Sequence, residues 1–419
     1  MSASNWLTLE EAISSLLQYA TAVEQSERCE IPAALGRILA EDITAPIDVP
    51  GQAVSAMDGY AVPAASLRNN ITLKVVHTIL AGDDVSTLQI QHGEAARIMT
   101  GAGIPQGADA VVMQENTQRS DNTVMLITAP EINDNIRPQG NDVCQGEVVI
   151  RQGTRLQASH LMLLASLGLT DCLVKRKLRV AIMATGDELQ QAGSPLAPGQ
   201  LYNSNSVGIA ALLRPYDVDI IDLGIVRDDP DQLAHTFTQA AATADLIISS
   251  GGVSVGDADY VKSVLDSLGD IGFWKVAIKP GKPFAFGQLN NCLFCGVPGN
   301  PVSAYVTTQQ LVLPLIGALQ GDTSAPQPLQ FRAIVQSAVR HRPGRVEYVR
   351  AVLSQDEDSQ WLVAPLPRQS SGVMTTVTQA NCYIVVAADS ADVVAGTTVM
   401  VQPFSHLISQ PGMRSTPPL

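Results

Sequence analysis

The spacing of apolar residues changes along the chain, and each spacing predicts a different kind of element. Near the start, apolar residues recur at helical intervals behind Thr8 and Glu11, which form a capping-box pair. The apolar positions of this first segment are Leu9, Ile13, Leu16, Leu17 and Ala20. We therefore expect an amphipathic helix here.

From about residue 30 to residue 156 the apolar runs become short and are separated by Gly and Pro, which is typical of strands and turns. The clearest predicted strands are Leu73–Ile79, Ala108–Glu115 and Thr123–Ile127. A second helix is predicted over Ser159–Leu167, because helical spacing returns there and Gly168 ends the run. We assign residues 1–175 to an N-terminal region of helical segments with an inserted β-rich subdomain at about 46–145.

Residues 178–320 alternate between strand-like and helical segments, the pattern of a parallel sheet with helices on both faces. The predicted strands are Leu178–Ala184, Val218–Leu223, Asp245–Ser249, Gly272–Ile278, Pro283–Gln288 and Cys292–Val297. Asp229 precedes a proline and is expected to cap a helix, and Pro301–Leu319 is expected to be the closing helix. We assign residues 176–325 to this α/β domain.

After a Pro-, Ser- and Gln-rich stretch at residues 322–330, only strands are predicted. They are Phe331–Ala338, Val346–Leu353, Trp361–Leu366, Cys382–Ala387 and Thr397–Gln402. Residues 330–408 are therefore assigned to an all-β barrel or sandwich domain. The fold class is multidomain α/β plus β: a central parallel-sheet α/β domain, a β-rich N-terminal region and a C-terminal all-β domain.

Composition narrows the function classes. With a net charge of −14 and a pI of about 4.8, the chain lacks the broad basic face that nucleic-acid binding or anionic membranes require. Met1–Trp6 does not resemble a signal peptide, and the apolar run Leu311–Leu319 is too short to span a bilayer. Cys292 and Cys295 lie in an apolar run and are expected to be packed core thiols. We expect a cytoplasmic protein that binds neither nucleic acid nor membranes.

Candidate chemistry gathers in the loops that follow the predicted strands of the α/β domain, where open parallel sheets bind ligands. Residues 249–259 are the richest of these loops, with paired glycines and several serines before a helix that begins near Asp257. Glycines allow close backbone approach, and a helix N-terminus favours anions. A simple turn is the alternative, but the elaborate Ser/Gly/Asp pattern favours a phosphate-binding loop.

Carboxylates cluster at the same predicted edge. They are Asp187, Glu188, Asp228, Asp257 and Asp259. Neighbouring carboxylates repel each other and raise each other's pKa unless a cation lies among them. A divalent ion such as Mg²⁺, held by carboxylates and by phosphate oxygens of a substrate, is therefore expected.

Lysines form a dense group over residues 273–283 in this acidic chain. Lys275 and Lys279 are four residues apart, so in a single strand both would point to one face. Two ammonium groups on one face suit a compact dianion, whereas solvated surface lysines are the alternative.

Taken together, these loops resemble the molybdopterin molybdotransferase family, which comprises bacterial MoeA-type proteins and the E-domain of gephyrin. The resemblance covers nearly the whole chain. Its motifs are Ser55–Ala61, Met99–Pro105, Ala110–Glu115, Thr185–Glu188, Ser249–Gly256, Lys279–Phe284 and Val297–Pro301. Two segments depart from the family pattern: Arg137–Asp142 is poorer in charge, and Ser370–Met374 matches loosely.

The resemblance implies an enzyme that inserts molybdenum from molybdate into adenylylated molybdopterin and releases AMP in an Mg²⁺-dependent step. It also implies an elongated homodimer with the active site at the subunit interface. Further implied partners are a molybdopterin adenylyltransferase and the apo-enzymes that accept the cofactor.

The resemblance further implies residue roles. The catalytic residues would be Asp58, Asp142, Asp187, Glu188, Asp228 and Asp259, of which Asp187, Glu188, Asp228 and Asp259 would bind the metal. The pterin substrate would contact Thr100, Arg137, Thr185, Gly251, Gly252, Val253, Ser254, Pro298, Gly299, Asn300 and Pro301. Molybdate would contact Lys275, Lys279, Arg350 and Ser371. Asp58, Thr100, Arg137 and Asp142 would reach the cleft of the other subunit.

Two other functions share parts of this pattern. A CinA-like nucleotide pyrophosphatase would have the same type of α/β domain, although the motifs around Asp58 and Thr100 argue against it. A non-catalytic molybdopterin carrier or scaffold would bind the pterin without inserting metal.

Overall fold

The fold is built on three six-stranded sheets. A computed structural model describes residues 6–252, 260–323 and 328–404 of the chain. In sheet order, the N-terminal sheet contains Ala110–Met113, Gly59–Val62, Glu94–Ile98, Ile71–Ile79, Thr123–Leu126 and Thr117–Ser120. The central sheet contains Asp219–Val226, Arg179–Thr185, Leu246–Ser250, Cys292–Val297, Pro283–Leu289 and Asp270–Lys275. The C-terminal sheet contains Ile278–Lys279, Val346–Gln355, Trp361–Pro365, Phe331–Val335, Thr398–Pro403 and Cys382–Val386.

Two-stranded pairs and helices complete the described structure. The pairs are Ser26–Glu30 with Asp171–Lys175, Ile43–Thr44 with Val148–Ile150, Val54–Ser55 with Ile136–Arg137, and Leu189–Gln190 with Leu201–Tyr202. The α-helices are Leu9–Gln18, Ala158–Ser166, Asn205–Leu213, Pro230–Thr243, Tyr260–Leu268, Pro301–Thr307, Leu313–Gln320 and Thr375–Gln379. One π-helical turn, Thr308–Val312, joins the two helices on either side of it into a continuous segment.

The central sheet is mixed rather than wholly parallel, which corrects one detail of the prediction. Its first four strands are parallel to their neighbours, but Pro283–Leu289 runs antiparallel to Cys292–Val297. Because only a two-residue turn separates these two strands, they must form a hairpin. Asp270–Lys275 is antiparallel to Pro283–Leu289 in turn, so it again runs in the direction of the parallel strands.

Both faces of the central sheet are covered, as predicted. On one face, Phe237 packs edge-on against Phe294, with 5.7 Å between their ring centroids. On the other face, the segment Pro301–Gln320 belongs to the core. This segment is long and apolar enough to cross a membrane, but 72% of its most apolar window is buried inside the protein. Core burial accounts for its composition.

The first helix packs on the central core rather than on the N-terminal sheet. Leu9, Ala12 and Leu16 are buried in the cluster that contains Ile182 of the central sheet. The capping box of Thr8 and Glu11 is confirmed, with Thr8 Oγ1 accepting from the Glu11 amide at 3.1 Å. Leu17, expected on the apolar face, is instead 40% exposed.

The C-terminal sheet closes into a five-stranded barrel, because Val346–Gln355 pairs with both Trp361–Pro365 and Cys382–Val386. Alternating strand residues such as Val349, Ala351 and Leu353 fill its interior. Of the predicted barrel or sandwich the structure shows the barrel, and closure leaves these strands without an open edge. The expectation of strands alone is wrong, because Thr375–Gln379 is a short helix.

Candidate active site

Three loops meet at the carboxyl edge of the central sheet. They follow the neighbouring strands Arg179–Thr185, Leu246–Ser250 and Cys292–Val297. The Gly251 amide donates to the Val297 carbonyl at 3.2 Å. Asn205 also links them, because its Nδ2 donates to Ser250 Oγ at 2.7 Å and to the Gly299 carbonyl at 2.8 Å. The structure thus brings together the loops of Thr185, Gly251–Gly252 and Pro298–Pro301.

The glycines of the second loop permit a very close approach of backbones. Gly251 has a φ of +97°, and a Cβ there would lie 2.5 Å from the Thr185 carbonyl oxygen. Gly252 has a φ of +66° and would place a Cβ 2.4 Å from Val261 Cγ2. No other residue fits either position without displacing its neighbours. Val253 and Ser254, predicted to bind substrate, lie outside the described residues.

Two buried hydroxyls lie beneath these loops. Thr185 Oγ1 and Ser249 Oγ are inaccessible to solvent and have no hydrogen-bond partner among the described residues. Buried polar atoms are normally paired, so unpaired hydroxyls at a loop edge suit a polar ligand. Both hydroxyls come from strand ends that the sequence had identified as ligand-binding.

The carboxylates of the first loop and of the loop after Asp219–Val226 lie close together. The Asp228 amide donates to Asp187 Oδ1 at 3.3 Å. Partial burial, followed by the negative charges of Asp187 and Glu188, raises the pKa of Asp228 above its ordinary value. Asp229 caps the next helix through a 2.8 Å bond from the Gln232 amide, as predicted.

These carboxylates fit a magnesium ion that completes its shell with substrate oxygens. Within the described part of the chain, no group of three or more His, Cys, Asp or Glu residues is close enough to enclose a metal alone. Mg²⁺ commonly takes only one or two protein carboxylates together with phosphate oxygens and water. The mutual repulsion at Asp187, Glu188 and Asp228 is what such a cation would relieve. Asp257 and Asp259 lie outside the described residues.

The prediction that Lys275 and Lys279 lie on one face of one strand is wrong. The central strand ends at Lys275, whose side chain is exposed at the carboxyl edge of the sheet. Three residues later the chain joins the barrel, where Ile278–Lys279 pairs with Val346–Glu347. The Val276 amide still bonds to the opposite Lys282 carbonyl, but the Ala277 amide bonds to the Leu7 carbonyl, and the strand ends there. Lys279 Nζ lies 2.8 Å from Glu347 Oε1.

Arg350 and Ser371 lie where the barrel meets the third loop. The Arg350 side chain is 1% exposed, and it donates to Thr376 Oγ1 at 3.2 Å and to the Ser370 carbonyl at 3.1 Å. Burial lowers the pKa of Arg350. The Ser371 carbonyl accepts from the Val302 amide at 3.0 Å, immediately after the third loop. The barrel therefore contacts the same edge as the glycine loops.

The remaining predicted residues lie in the N-terminal region. Asp58 Oδ1 accepts from both the amide and the hydroxyl of Thr100, each at 2.8 Å. These two bonds lower the pKa of Asp58. Arg137 lies on the strand that pairs with Val54–Ser55. The Asp142 amide donates to the Val49 carbonyl at 2.9 Å.

These four N-terminal residues do not join the central loops within one subunit. Asp58, Thr100, Arg137 and Asp142 form no hydrogen bond or ion pair with those loops among the residues that the structure describes. The structure thus supplies two groups of predicted site residues, one in the N-terminal region and one at the edge shared by the central sheet and barrel.

Sequence reasoning missed two contributors to the central group. Asn205 links two of the loops, and its position at the start of a helix near the carboxyl edge was the available signal. Glu347 is 4% exposed and holds Lys279 through one oxygen and His341 through the other. No sequence pattern indicated Glu347, because its partner Lys279 is distant in the chain and the short separation from His341 matches no binding motif.

Comparison with known proteins assigns these features to one family. The chain is 44% identical over 403 residues to a molybdopterin molybdenumtransferase of Haemophilus influenzae, covering 96% of this chain and 100% of the relative. The chain belongs to the MoeA family of molybdopterin molybdenumtransferases. Another MoeA-family relative, a molybdopterin molybdenumtransferase of Bacillus subtilis, is 34% identical, with 90% of this chain and 89% of the relative covered.

The family's regions and fold are both represented. Residues 7–168 match the MoeA N-terminal region (domain I and II), residues 181–318 match a probable molybdopterin binding domain, and residues 332–404 match the MoeA C-terminal region (domain IV). The solved structure of a molybdopterin biosynthesis MoeA protein from Pyrococcus horikoshii OT3 aligns with a TM-score of 0.81 at 28% identity. It covers 95% of this chain and 100% of that one, which confirms the predicted multidomain fold.

Proposed function

We propose that this protein inserts molybdenum from molybdate into adenylylated molybdopterin, with Mg²⁺-dependent release of AMP, in molybdenum cofactor biosynthesis. The observation that carries the proposal is the meeting of three loops, a carboxylate group and the barrel at one edge of the central sheet. The whole-length similarity to molybdopterin molybdenumtransferases supports the same activity.

The glycine loops suit the phosphorylated pterin. With no side chain at Gly251 or Gly252, backbone amides can approach phosphate oxygens directly. The buried hydroxyl of Thr185 supplies a further donor. Pro298, Gly299, Asn300 and Pro301 form the opposite side, which Asn205 holds in place through the Gly299 carbonyl. We assign Val253 and Ser254 to the same binding loop from their motif.

The side of the site formed by the barrel is suited to binding molybdate, a tetrahedral oxyanion. Arg350 is buried, and its guanidinium has no carboxylate within 4.0 Å among the described residues. A planar guanidinium matches paired oxygens of a tetrahedral anion, and ammonium groups add point charge. We therefore assign molybdate to Arg350 and Ser371 together with Lys275 and Lys279.

The chemistry is phosphoanhydride cleavage. Once molybdate is bound, an oxygen of molybdate or of a water molecule attacks the pterin-side phosphorus. The P–O bond to AMP breaks, and AMP leaves with the electron pair and a proton. Bound Mg²⁺ would neutralise phosphate charge, and Asp187, Glu188 and Asp228, with Asp259, are the residues that would hold it. The cationic side chains stabilise charge that develops on the oxygens. Asp58 and Asp142 complete the catalytic set in this proposal.

A dimer would bring the two groups of residues together. We assign Asp58, Thr100, Arg137 and Asp142 of one subunit to the cleft of the other, because they make no bond to the central loops of their own chain. Light scattering would then give twice the 44.3 kDa chain mass. The proposal places the enzyme in the cytoplasm, where it would meet the adenylyltransferase and the cofactor-accepting apo-enzymes.

The test is AMP release from adenylylated molybdopterin in the presence of Mg²⁺ and molybdate. We expect release to require molybdate and to fall at least 100-fold in Glu188→Ala, whereas Glu357→Ala, in an exposed turn, keeps wild-type activity. If the substrate binds but no AMP appears with molybdate present, the enzyme activity is refuted and a carrier role follows. AMP release at the same rate with and without molybdate would instead identify a pyrophosphatase.

A further inference from the structure

A second cationic site lies in the barrel, beside the proposed oxyanion site. It is a cavity of about 410 Å³ beneath the loop that joins Phe331–Val335 to Val346–Gln355. Four of its described lining residues are Lys or Arg and one is Asp, in a chain whose net charge is −14. The lining residues are Lys279, Arg340, His341, Arg342, Arg345 and Asp392. A concave surface with this excess of positive charge attracts anions.

The three arginines of the cavity form no ion pair among the residues that the structure describes. Arg340 and Arg342 have exposed side chains, and neither makes an ion pair within the part of the chain that the structure describes. Arg345 lies over the ring of Trp6, with its guanidinium carbon 5.8 Å from the ring centroid. Asp392 and the Glu347 partner of Lys279 offset only part of the positive charge of the lining. The three arginines still repel each other, so an anion bound among them would be favoured.

The cavity wall is fixed rather than free to spread apart. The Val339 amide bonds to the Val393 carbonyl at 2.9 Å, and the His341 amide bonds to Asp392 Oδ1 at 2.7 Å. The Gly344 amide bonds to the Ala388 carbonyl at 2.6 Å. The loop that carries the arginines is therefore anchored on both sides, which reduces the entropy lost when a ligand binds.

A buried histidine forms part of the wall. The His341 side chain is 1% exposed, and its Nδ1 lies 2.9 Å from Glu347 Oε2. Its Nε2 has no hydrogen-bond partner among the described residues. A buried ring nitrogen left unpaired costs free energy, so it is a further polar group suited to a ligand.

We propose that this cavity binds a small molecule that carries a phosphate monoester. Arginine forks match the paired oxygens of a phosphate group. The cavity of about 410 Å³ also has room beside a phosphate group for the organic part of an ester. A tetrahedral oxyanion with five heavy atoms would leave most of that space unfilled. The cavity shares Lys279 with the proposed oxyanion site, but its arginines lie on the barrel loop and do not belong to that site. The inference does not depend on the proposed reaction.

The test is calorimetric titration of the full-length protein with ribose 5-phosphate, inorganic phosphate, molybdate and uncharged ribose. We expect ribose 5-phosphate to bind more tightly than inorganic phosphate and ribose not to bind. Arg340→Gln/Arg342→Gln should weaken the Kd for ribose 5-phosphate at least tenfold. The control Arg119→Gln/Arg332→Gln removes two exposed arginines outside the cavity and should leave the Kd within twofold.

Two further arms separate this cavity from the active site. In Lys275→Gln, whose lysine does not line the cavity, ribose 5-phosphate binding should be unchanged. If Lys275→Gln abolishes binding while Arg340→Gln/Arg342→Gln retains it, the ester binds at the glycine loops and the proposal is wrong. Tighter binding of inorganic phosphate or molybdate than of the ester would overturn the ligand class if that binding is lost in Arg340→Gln/Arg342→Gln. Molybdate binding that this variant retains belongs to the proposed oxyanion site. If Arg119→Gln/Arg332→Gln weakens ribose 5-phosphate binding as much as Arg340→Gln/Arg342→Gln does, the loss reflects net charge alone, and the site is refuted.

Discussion

Gly251 shows how much a single position at the site depends on the absence of a side chain. Its φ of +97° is nearly that of Gly82, at +94°, but a Cβ at Gly82 would meet nothing within 4 Å. Gly82→Ala therefore adds backbone strain alone, of about 1–3 kcal/mol. Gly251→Ala adds the same strain and a 2.5 Å clash with the Thr185 carbonyl.

We accordingly expect Gly251→Ala to lower the free energy of unfolding by more than Gly82→Ala does. Urea denaturation of both variants measures the difference. Equal losses would mean that the second loop moves freely away from Thr185 and is not held at the sheet edge.

Asp228 makes a pH-dependent contribution to stability. Its pKa is raised in the folded protein, so the folded state favours its protonated form. The ionised form is therefore disfavoured in the folded protein, which costs stability. This loss develops as pH rises from the ordinary aspartate pKa to the raised pKa of Asp228, and it is complete at higher pH. In Mg²⁺-free buffer, Asp228→Asn should therefore be more stable than wild type at pH 7, and the difference should shrink as pH approaches 4.

Thermal unfolding followed across this pH range checks the expectation for Asp228. The control Asp266→Asn, on an exposed helix position, should show no such pH-dependent gain. A wild-type protein that is as stable as Asp228→Asn at pH 7 without Mg²⁺ would contradict the carboxylate repulsion.

At the scale of elements, the helix Asn205–Leu213 positions two loops through its first residue. Asn205→Ala removes both the bond to Ser250 Oγ and the bond to the Gly299 carbonyl. We expect a KM for adenylylated molybdopterin raised about tenfold with a smaller change in kcat, since about 1.4 kcal/mol of loop positioning is lost. Steady-state AMP release measures it. Asn122→Ala, in an exposed turn, is the matched control, and an unchanged KM would remove Asn205 from the site.

The elements also show which predictions the sequence supports. Cys292–Val297 was predicted to the residue, because a continuous apolar run between turns specifies a buried strand. The prediction for Lys275 and Lys279 failed because apolar spacing continues through Ile278, whereas the hydrogen bonds to Pro283–Leu289 and its flank stop at Val276. Ala277 bonds to Leu7, and Lys279 pairs with Glu347. Both partners are distant in sequence, so no local pattern could reveal that the chain changes sheets. The described loops that follow Thr185, Ser250 and Val297 lie at the carboxyl edge of the sheet as predicted, whereas Asn205 and Glu347 could be found only from their contacts.

At the scale of the whole molecule, Arg155 connects the N-terminal region to the end of the central region. Its side chain pairs with Asp322 at 2.8 Å, and it donates to Gln320 Oε1 and the Gly36 carbonyl. Asp322 is 3% exposed in its side chain. Removing one member of a buried pair costs about 3–5 kcal/mol, whereas an exposed pair contributes about 0–1 kcal/mol.

Arg155→Ala should therefore destabilise the protein strongly, and Arg151→Ala, which breaks the exposed pair with Asp42, should have little effect. Differential scanning calorimetry of both variants tests this, and we expect a lower and broader transition for Arg155→Ala. Equal transitions for the two variants would show that Arg155 does not couple the regions. The division of the chain at residues 175 and 325 stays a prediction.

Residues 275–283 belong partly to the central sheet and partly to the barrel. The C-terminal domain therefore supplies hydrogen-bonding partners to the central region. One short stretch of backbone is hydrogen-bonded into both units, and Lys279 takes its carboxylate partner from the barrel. Deleting the barrel would therefore leave the backbone of Ile278–Lys279 without its paired strand and the Lys279 side chain without Glu347. In the proposed assignment the barrel also forms one wall of the oxyanion site. We therefore expect evolution to keep or lose the two units together.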